Sequence, residues 1–250
     1  MNQFEKVCGC KTEKELFNVW KNKETTELQY SNKKGIHTVR INHKNVFVSD
    51  GVVNSEIWYK NENRKRITFL LKEAYGGEKD WSLTDRLKIE APWSSIWRRV
   101  AEWTYGIQNT TIARVARYTP QDISLEPNNE WLNQTAIINI KKSGGVSHSD
   151  LDEIRLYAQN DKYELKRQLE IEDPDIIICG YTMGILNELY DYSIRDDENR
   201  CDNWYYFSDV IGSRERLIID YYHPANQYPA LINYYGIIGI YQQALLSKLE

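Results

Sequence analysis

Glu73, Asn139, Gly180 and His223 each stand at or just beyond the end of a short apolar run. Arg66-Ile67-Thr68-Phe69-Leu70-Leu71 leads into Lys72-Glu73-Ala74-Tyr75-Gly76-Gly77, and Thr135-Ala136-Ile137-Ile138-Asn139-Ile140 leads into Lys141-Lys142. Asp175-Ile176-Ile177-Ile178-Cys179 ends on Gly180, and Leu217-Ile218-Ile219 is soon followed by Tyr222-His223-Pro224-Ala225. A carboxylate can activate water or stabilise a cation, an imidazole can hold or give a proton near neutral pH, and an amide can read a polar edge. The proline after His223 frees the histidine from the strand, and the Gly-Gly pair after Glu73 lets backbone approach a ligand closely. Each residue also has a structural alternative. Glu73 could cap a helix or pair with Lys72, His223 could be a hydrogen-bonded scaffold histidine, and Asn139 could satisfy a turn.

The elements that must position these groups are four short apolar strands separated by helical stretches. Strands at 66–71, 135–140, 175–180 and 216–220 lack polar alternation, as strands buried on both faces do. Helices are expected over Ser94 to Tyr105, ending before Gly106, from a Ser149 cap toward Leu169 and closing at Asp173-Pro174, and from Pro229 to Lys248. The expectation is a three-layer α/β/α fold with a central four-stranded parallel sheet, whose ligand crevice lies beyond the carboxyl ends of the strands. Residues 1–60 read as an N-terminal extension packed on the core: a helix over Glu13 to Lys21, then a hairpin of Thr38-Val39-Arg40-Ile41 and Val46-Phe47-Val48 about Asn42-His43-Lys44-Asn45. Residues 61–250 read as the α/β domain, with a polar lead-in at 61–65 and a polar, aromatic insert from Tyr190 to Asp209.

At 250 residues the chain suits one large domain. Eight Trp and 18 Tyr exceed what such a core needs, and amphipathic rings serve wet surfaces where bases or sugars stack. The net charge of −4 excludes bulk electrostatic coating of nucleic acid but leaves room for a local basic groove. No apolar stretch nears the ~20 residues that span a bilayer, and the start lacks a signal-peptide core, so a cytoplasmic monomer without membrane contact is expected. Four cysteines are few for a disulfide framework, and Cys8-Gly9-Cys10 alone is a thin basis for a metal site, so no metal or other cofactor is expected.

The order of these strand ends resembles the uracil-DNA glycosylase superfamily over about residues 65 to 247. Lys72-Glu73-Ala74-Tyr75-Gly76 resembles its first motif, the strand with Asn139 its base-reading segment, the strand ending in Gly180 its third strand, and Tyr222-His223-Pro224-Ala225 its second catalytic motif. The resemblance implies a DNA glycosylase that hydrolyses the N-glycosidic bond of a flipped base. Glu73 would activate water or stabilise the sugar cation, His223 would stabilise the leaving base, and Asn139 would recognise it. Tyr75, with Ala74, Gly76 and Gly180, would line the base pocket. Lys72, Lys141 and Lys142 would meet DNA, single- or double-stranded, and Gln227 or Tyr228 would fill the vacated stack unless that loop merely caps the last helix. Arg64, Lys65 and Arg66 are further phosphate candidates, whereas Arg98-Arg99 reads as a solvated helix face.

Leu71 stands where the family has glycine, neither proline of the first motif is present, and Ser143 stands where one branch has a cluster-binding cysteine. These departures imply no iron-sulfur cluster, and they move the expected substrate from uracil toward a uracil-like or modified pyrimidine, in repair or in defence against modified viral DNA. A catalytically silent nucleic-acid-binding module of the same fold, or a nucleoside-type hydrolase, are the alternatives.

Overall fold

The computed structural model describes residues 2–33, 35–60, 63–77, 79–89, 94–123, 126–146, 148–195 and 204–249. Helices α1 (Gln3–Gly9) and α2 (Glu13–Lys21) open the chain, each closed at its start by a reciprocal capping box, Asn2 with Glu5 and Thr12 with Glu15. They lead to β1 (Thr26–Asn32), β2 (Gly35–Ile41), β3 (Val48–Ser49), β4 (Gly51–Val52) and α3 (Ser55–Lys60). Next come β5 (Ile67–Tyr75), β6 (Trp81–Ser82), α4 (Leu83–Ile89), α5 (Ser95–Asn109) and β7 (Thr135–Gly145). The chain finishes with α6 (Leu151–Asn160), α7 (Lys162–Glu172), β8 (Ile176–Gly180), α8 (Met183–Leu189), β9 (Tyr205–Ser208), β10 (Arg216–Tyr221) and α9 (Ala230–Ser247).

The central sheet has the order β4-β7-β5-β8-β10-β9. Its four inner strands are mutually parallel, and β4 and β9 close the two edges antiparallel. The expected parallel quartet is therefore the middle of a six-stranded mixed sheet among the described residues. Both edge strands are short and sit in segments whose polar composition hides them. Successive side chains of the inner strands alternate between two cores. Phe69, Ile137, Ile178 and Ile219 pack with α4, α5 and α9, whereas Leu70, Ile138, Ile177 and Ile218 pack with α1, α2, α6, α7 and α8. Burying each such side chain contributes about 1.5–3 kcal/mol, so helices on both faces follow from strands apolar on both faces.

Several boundaries depart from the sequence expectation. The hairpin is β1 with β2, so residues 38–41 form its second arm, and 42–47 lead on to β3, which runs parallel to β6. Helix α5 continues through Gly106, where a Cβ would come within 2.5 Å of Ile238 Cδ1, so this glycine lets α9 approach rather than ending the helix. Asp150, not Ser149, caps α6 by accepting from Asp152 N–H, and the chain breaks at Asp161 into a second helix, α7. Helix α7 does stop at Asp173, in the left-handed conformation with φ 46° before Pro174. Residues 1–60 are part of the sheet and the second core: β4 pairs with β7, and Val7, Leu16, Trp20 and Phe47 pack among Ile138, Ile140 and Ile177. Of the polar lead-in and the 190–209 insert, residues 61, 62 and 196–203 lie outside the described residues. Among the described residues no helix is long and apolar enough to cross a membrane.

Candidate active site

Strands β5, β8 and β10 share one register, with Leu70 opposite Cys179 and Cys179 opposite Asp220, so Leu71, Gly180 and Tyr221 reach one level. Glu73 stands two residues beyond that level on β5, whereas the chain leaving β10 keeps His223 beside Gly180, its Cα 3.4 Å from where a Gly180 Cβ would stand.

His223 is tightly built. The Ala225 backbone N–H donates to its Nδ1 at 3.1 Å, so the neutral ring carries its proton on Nε2. Burial, with the Lys72 ammonium adding to it, pushes the imidazole down to about 4. Gly180 backs the ring: a Cβ there would stand 2.8 Å from Leu71 Cδ2 and 3.4 Å from His223 Cδ2. The loop that carries the ring is held from below. Arg99 on α5 donates through Nη1 to Pro224 O at 2.7 Å and to Asn226 O, and through Nη2 to Tyr228 O at 3.2 Å. Asn226 and Asn233 exchange amide bonds, both at 2.9 Å, while Asn226 Nδ2 also donates to His223 O at 2.9 Å. Arg99 is thus a clamp on the His223 loop, not a solvated residue. Its partners lie more than a hundred residues downstream, where no local pattern shows them.

Glu73 lies inside β5, which runs on to Tyr75, and not beyond a strand end. Its side chain is 3% exposed and ion-paired with Lys141 Nζ at 3.0 Å. It lies so close under Gly145 that a Cβ there would meet its Cδ at 2.7 Å. Lys141 is paired as well with Glu153 on α6 at 2.8 Å. Burial alone would depress the Lys141 ammonium, but the bond to Glu153 and the charges of Glu73 and Glu153 outweigh it and raise its pKa. Glu73 Oε1 has no donor among the described residues, which leaves a buried acceptor at the strand end. Glu73 on β5 and His223 after β10 therefore flank the end of β8, with no hydrogen bond or ion pair between them among the described residues. By alternation along β5 Glu73 shares the face of Leu71 and the histidine, but its side chain is taken up by Lys141; the β5 charge that acts on the imidazole is that of Lys72, which takes part in no ion pair among the described residues.

Asn139 and Lys142 are turned inward, and their expected roles at base and phosphate do not fit where they stand. The Asn139 amide donates to Asp50 Oδ2 at 3.2 Å, and Lys142, with a side chain 0% exposed, is ion-paired with Asp50 Oδ1. Gln168, Glu172, Glu13 and Thr68 complete this buried network. Lys141 is likewise committed to Glu73 and Glu153 instead of a phosphate. Arg64, Lys65 and Arg66 are at the opposite end of β5, roughly 20 Å from the histidine's level, and Arg66 pairs with Asp173 at 2.8 Å. Ala74 is buried and Tyr75 is exposed beyond an irregularity between Glu73 and Tyr75, with Gly76 following at φ 90°. Gln227 and Tyr228 are exposed on the His223 loop.

Of the rings around the histidine, sequence reasoning named Tyr228 but missed Tyr181, Trp204 and Tyr222. Tyr222 lies 5.6 Å from Tyr181, 5.5 Å from Trp204 and 4.9 Å from Tyr228, measured between ring centres. Tyr181 directly follows Gly180 and Tyr222 directly precedes His223, which was the available signal. Two open clefts, of about 280 Å³ beside Phe17, Phe47 and Trp81 and about 320 Å³ beside Tyr105 and Trp131, lie away from this constellation. Among the described residues no group of three or more His, Cys, Asp or Glu side chains could hold a metal ion. Chemically, the site offers a neutral imidazole N–H donor, a nearby ammonium, a buried carboxylate two strands away and a fringe of aromatic rings. No protein-family model, curated protein or solved structure matches the chain.

Proposed function

We propose that this chain is a monofunctional DNA glycosylase, of a uracil-DNA glycosylase-like kind, that hydrolyses the N-glycosidic bond of a uracil-like or modified pyrimidine held outside the base stack. The observation that carries the reading is His223, a histidine held neutral with its proton on Nε2, on a loop clamped by Arg99 and Asn226.

In that reaction the bond between the sugar C1′ and the base nitrogen breaks, its electron pair leaves with the base, and the sugar gains oxocarbenium character. A neutral N–H donor aimed at the base oxygen stabilises the departing anion without first giving up a proton, and a fixed donor of this kind is worth about 3–4 kcal/mol. Lys72 serves twice: its charge disfavours the imidazolium and adds positive potential where the base becomes negative. Water then adds to C1′ and loses a proton to a carboxylate. Glu73, with an acceptor oxygen unused, is assigned that part on the sugar side, a nucleoside being long enough to reach from one group toward the other. The reading places the enzyme in repair or in defence against modified viral DNA.

The test is a panel of single-stranded and duplex DNAs carrying natural and modified bases, followed by alkaline cleavage and mass analysis of what is released. Abasic sites with one free base support the proposal. Salt-dependent binding with no abasic product would make the chain a silent nucleic-acid-binding module, and action on free nucleosides alone would make it a nucleoside hydrolase.

A further inference from the structure

The rings beside His223 are arranged for more than one base. Tyr181 is 49% exposed, Trp204 40% and Tyr228 50%, yet all three gather round Tyr222 at the carboxyl ends of β8 and β10. Rings meant for the core would be buried, as Tyr221, Tyr234 and Tyr241 are. Tyr181 also holds φ 60°, a left-handed conformation that costs a bulky side chain energy, and its N–H is fixed to Tyr221 O at 3.0 Å. That conformation brings its ring to Tyr222 instead of letting it continue the strand direction.

We propose that Tyr181, Trp204 and Tyr228, assembled about Tyr222, form a stacking platform for the unpaired bases of a single-stranded nucleic acid that flank the nucleotide at His223. The inference rests on the glycosylase reading for the nucleotide at His223, whereas the platform itself binds whether or not a bond is cut. The faces of the rings are tilted by 53° to 73° to Tyr222, a splayed set that suits bases taken one by one, not the closed stack of a duplex. The charge balance points the same way. A chain of net charge −4 gains little from the dense phosphates of a duplex, whereas stacking on a ring face depends little on charge.

Fluorescence anisotropy of labelled oligothymidylate and oligouridylate, single strands differing in sugar and base methyl, compared with a duplex of equal length, tests the platform. Single strands should bind more tightly than the duplex, and Trp204→Ala and Tyr228→Ala should each weaken that binding by roughly tenfold while Trp204→Phe and Tyr228→Phe retain it. Unchanged thermal melting of the variants separates lost stacking from lost folding. Tighter binding by one of the two single strands tells which chemistry is preferred and supports the platform either way. Equal affinity for the duplex, or alanine variants that bind as the parent does, would overturn it. Ring-dependent binding without base release would sink the glycosylase chemistry and spare the platform, and base release indifferent to the rings would do the reverse.

Discussion

Burial shifts His223 and Glu172 in opposite directions, each toward its uncharged form. For His223 the folded value of about 4 lies below the ~6.5 of an unfolded histidine, so the unfolded chain takes up the proton first as pH falls. The stability this histidine contributes is present above about pH 6.5 and is lost as pH drops toward 4, at up to about 1.4 kcal/mol per unit. Base release should accordingly show an acid limb near pH 4, and an NMR titration of the imidazole should show the Nε2–H form throughout the neutral range. A limb near 6.5 would contradict the assignment. Glu172 has the opposite sign. Burial, then the charge and shared hydrogen bond of Glu13, push it well above the usual carboxylate range, with Asp50 adding to this and Lys142 opposing it. The native state keeps a proton that the unfolded chain gives up above about 4.3, so stability falls as pH rises from there through the raised folded value. Glu172→Gln, which mimics the protonated acid toward Glu13, should flatten that dependence and gain on the order of 1 kcal/mol at pH 7 in denaturant titrations.

At the level of elements, the His223 loop is positioned by α5 and α9 through Arg99 and Asn233. Arg99→Met should leave the two helices packed, free the Pro224 and Asn226 carbonyls while Tyr228 O keeps its bond from Asn233, and lower base release at least tenfold, with a cost of about 1–3 kcal/mol in thermal melting. An unchanged rate would show that the loop holds itself. This support was illegible in the sequence because an arginine on an amphipathic helix and carbonyls in a distant loop leave no shared local signature. The inner strands were legible, since burial on both faces demands continuous apolar runs. Their length was not: Lys72, Glu73, Lys141 and Lys142 read as strand ends, but β5 and β7 run on through them. Three of these charges are neutralised by partners, Glu73 and Lys141 by each other and Lys142 by Asp50. The same pairing explains why a row of strand-end polar groups was only partly a site. His223 and Gly180 do meet, whereas Asn139 belongs to the buried network.

For the whole molecule, residues 1–60 and the α/β sheet form one packed body. Asp50 from the first segment is paired with Lys142 and hydrogen-bonded by Asn139 and Gln168, and β4 covers the edge of β7. Lys142→Met would leave Asp50 buried without its cation and should destabilise the fold by about 3–5 kcal/mol. A chain beginning at residue 61 should fail to melt cooperatively, and a cooperative transition close to that of the full chain would show that the first segment is a separable addition. Such a body keeps the carboxyl edge of β5, β8 and β10 rigid, as a site that depends on a prepositioned donor requires. Its most direct test is single-turnover release of free base, followed by mass spectrometry, from single-stranded DNA carrying uracil and modified pyrimidines, with the parent chain and His223→Ala side by side. The account predicts one released base and an abasic strand from the parent, and a rate at least a hundredfold lower from a His223→Ala protein that melts normally. No free base from any strand, or equal release by the two proteins, would contradict it.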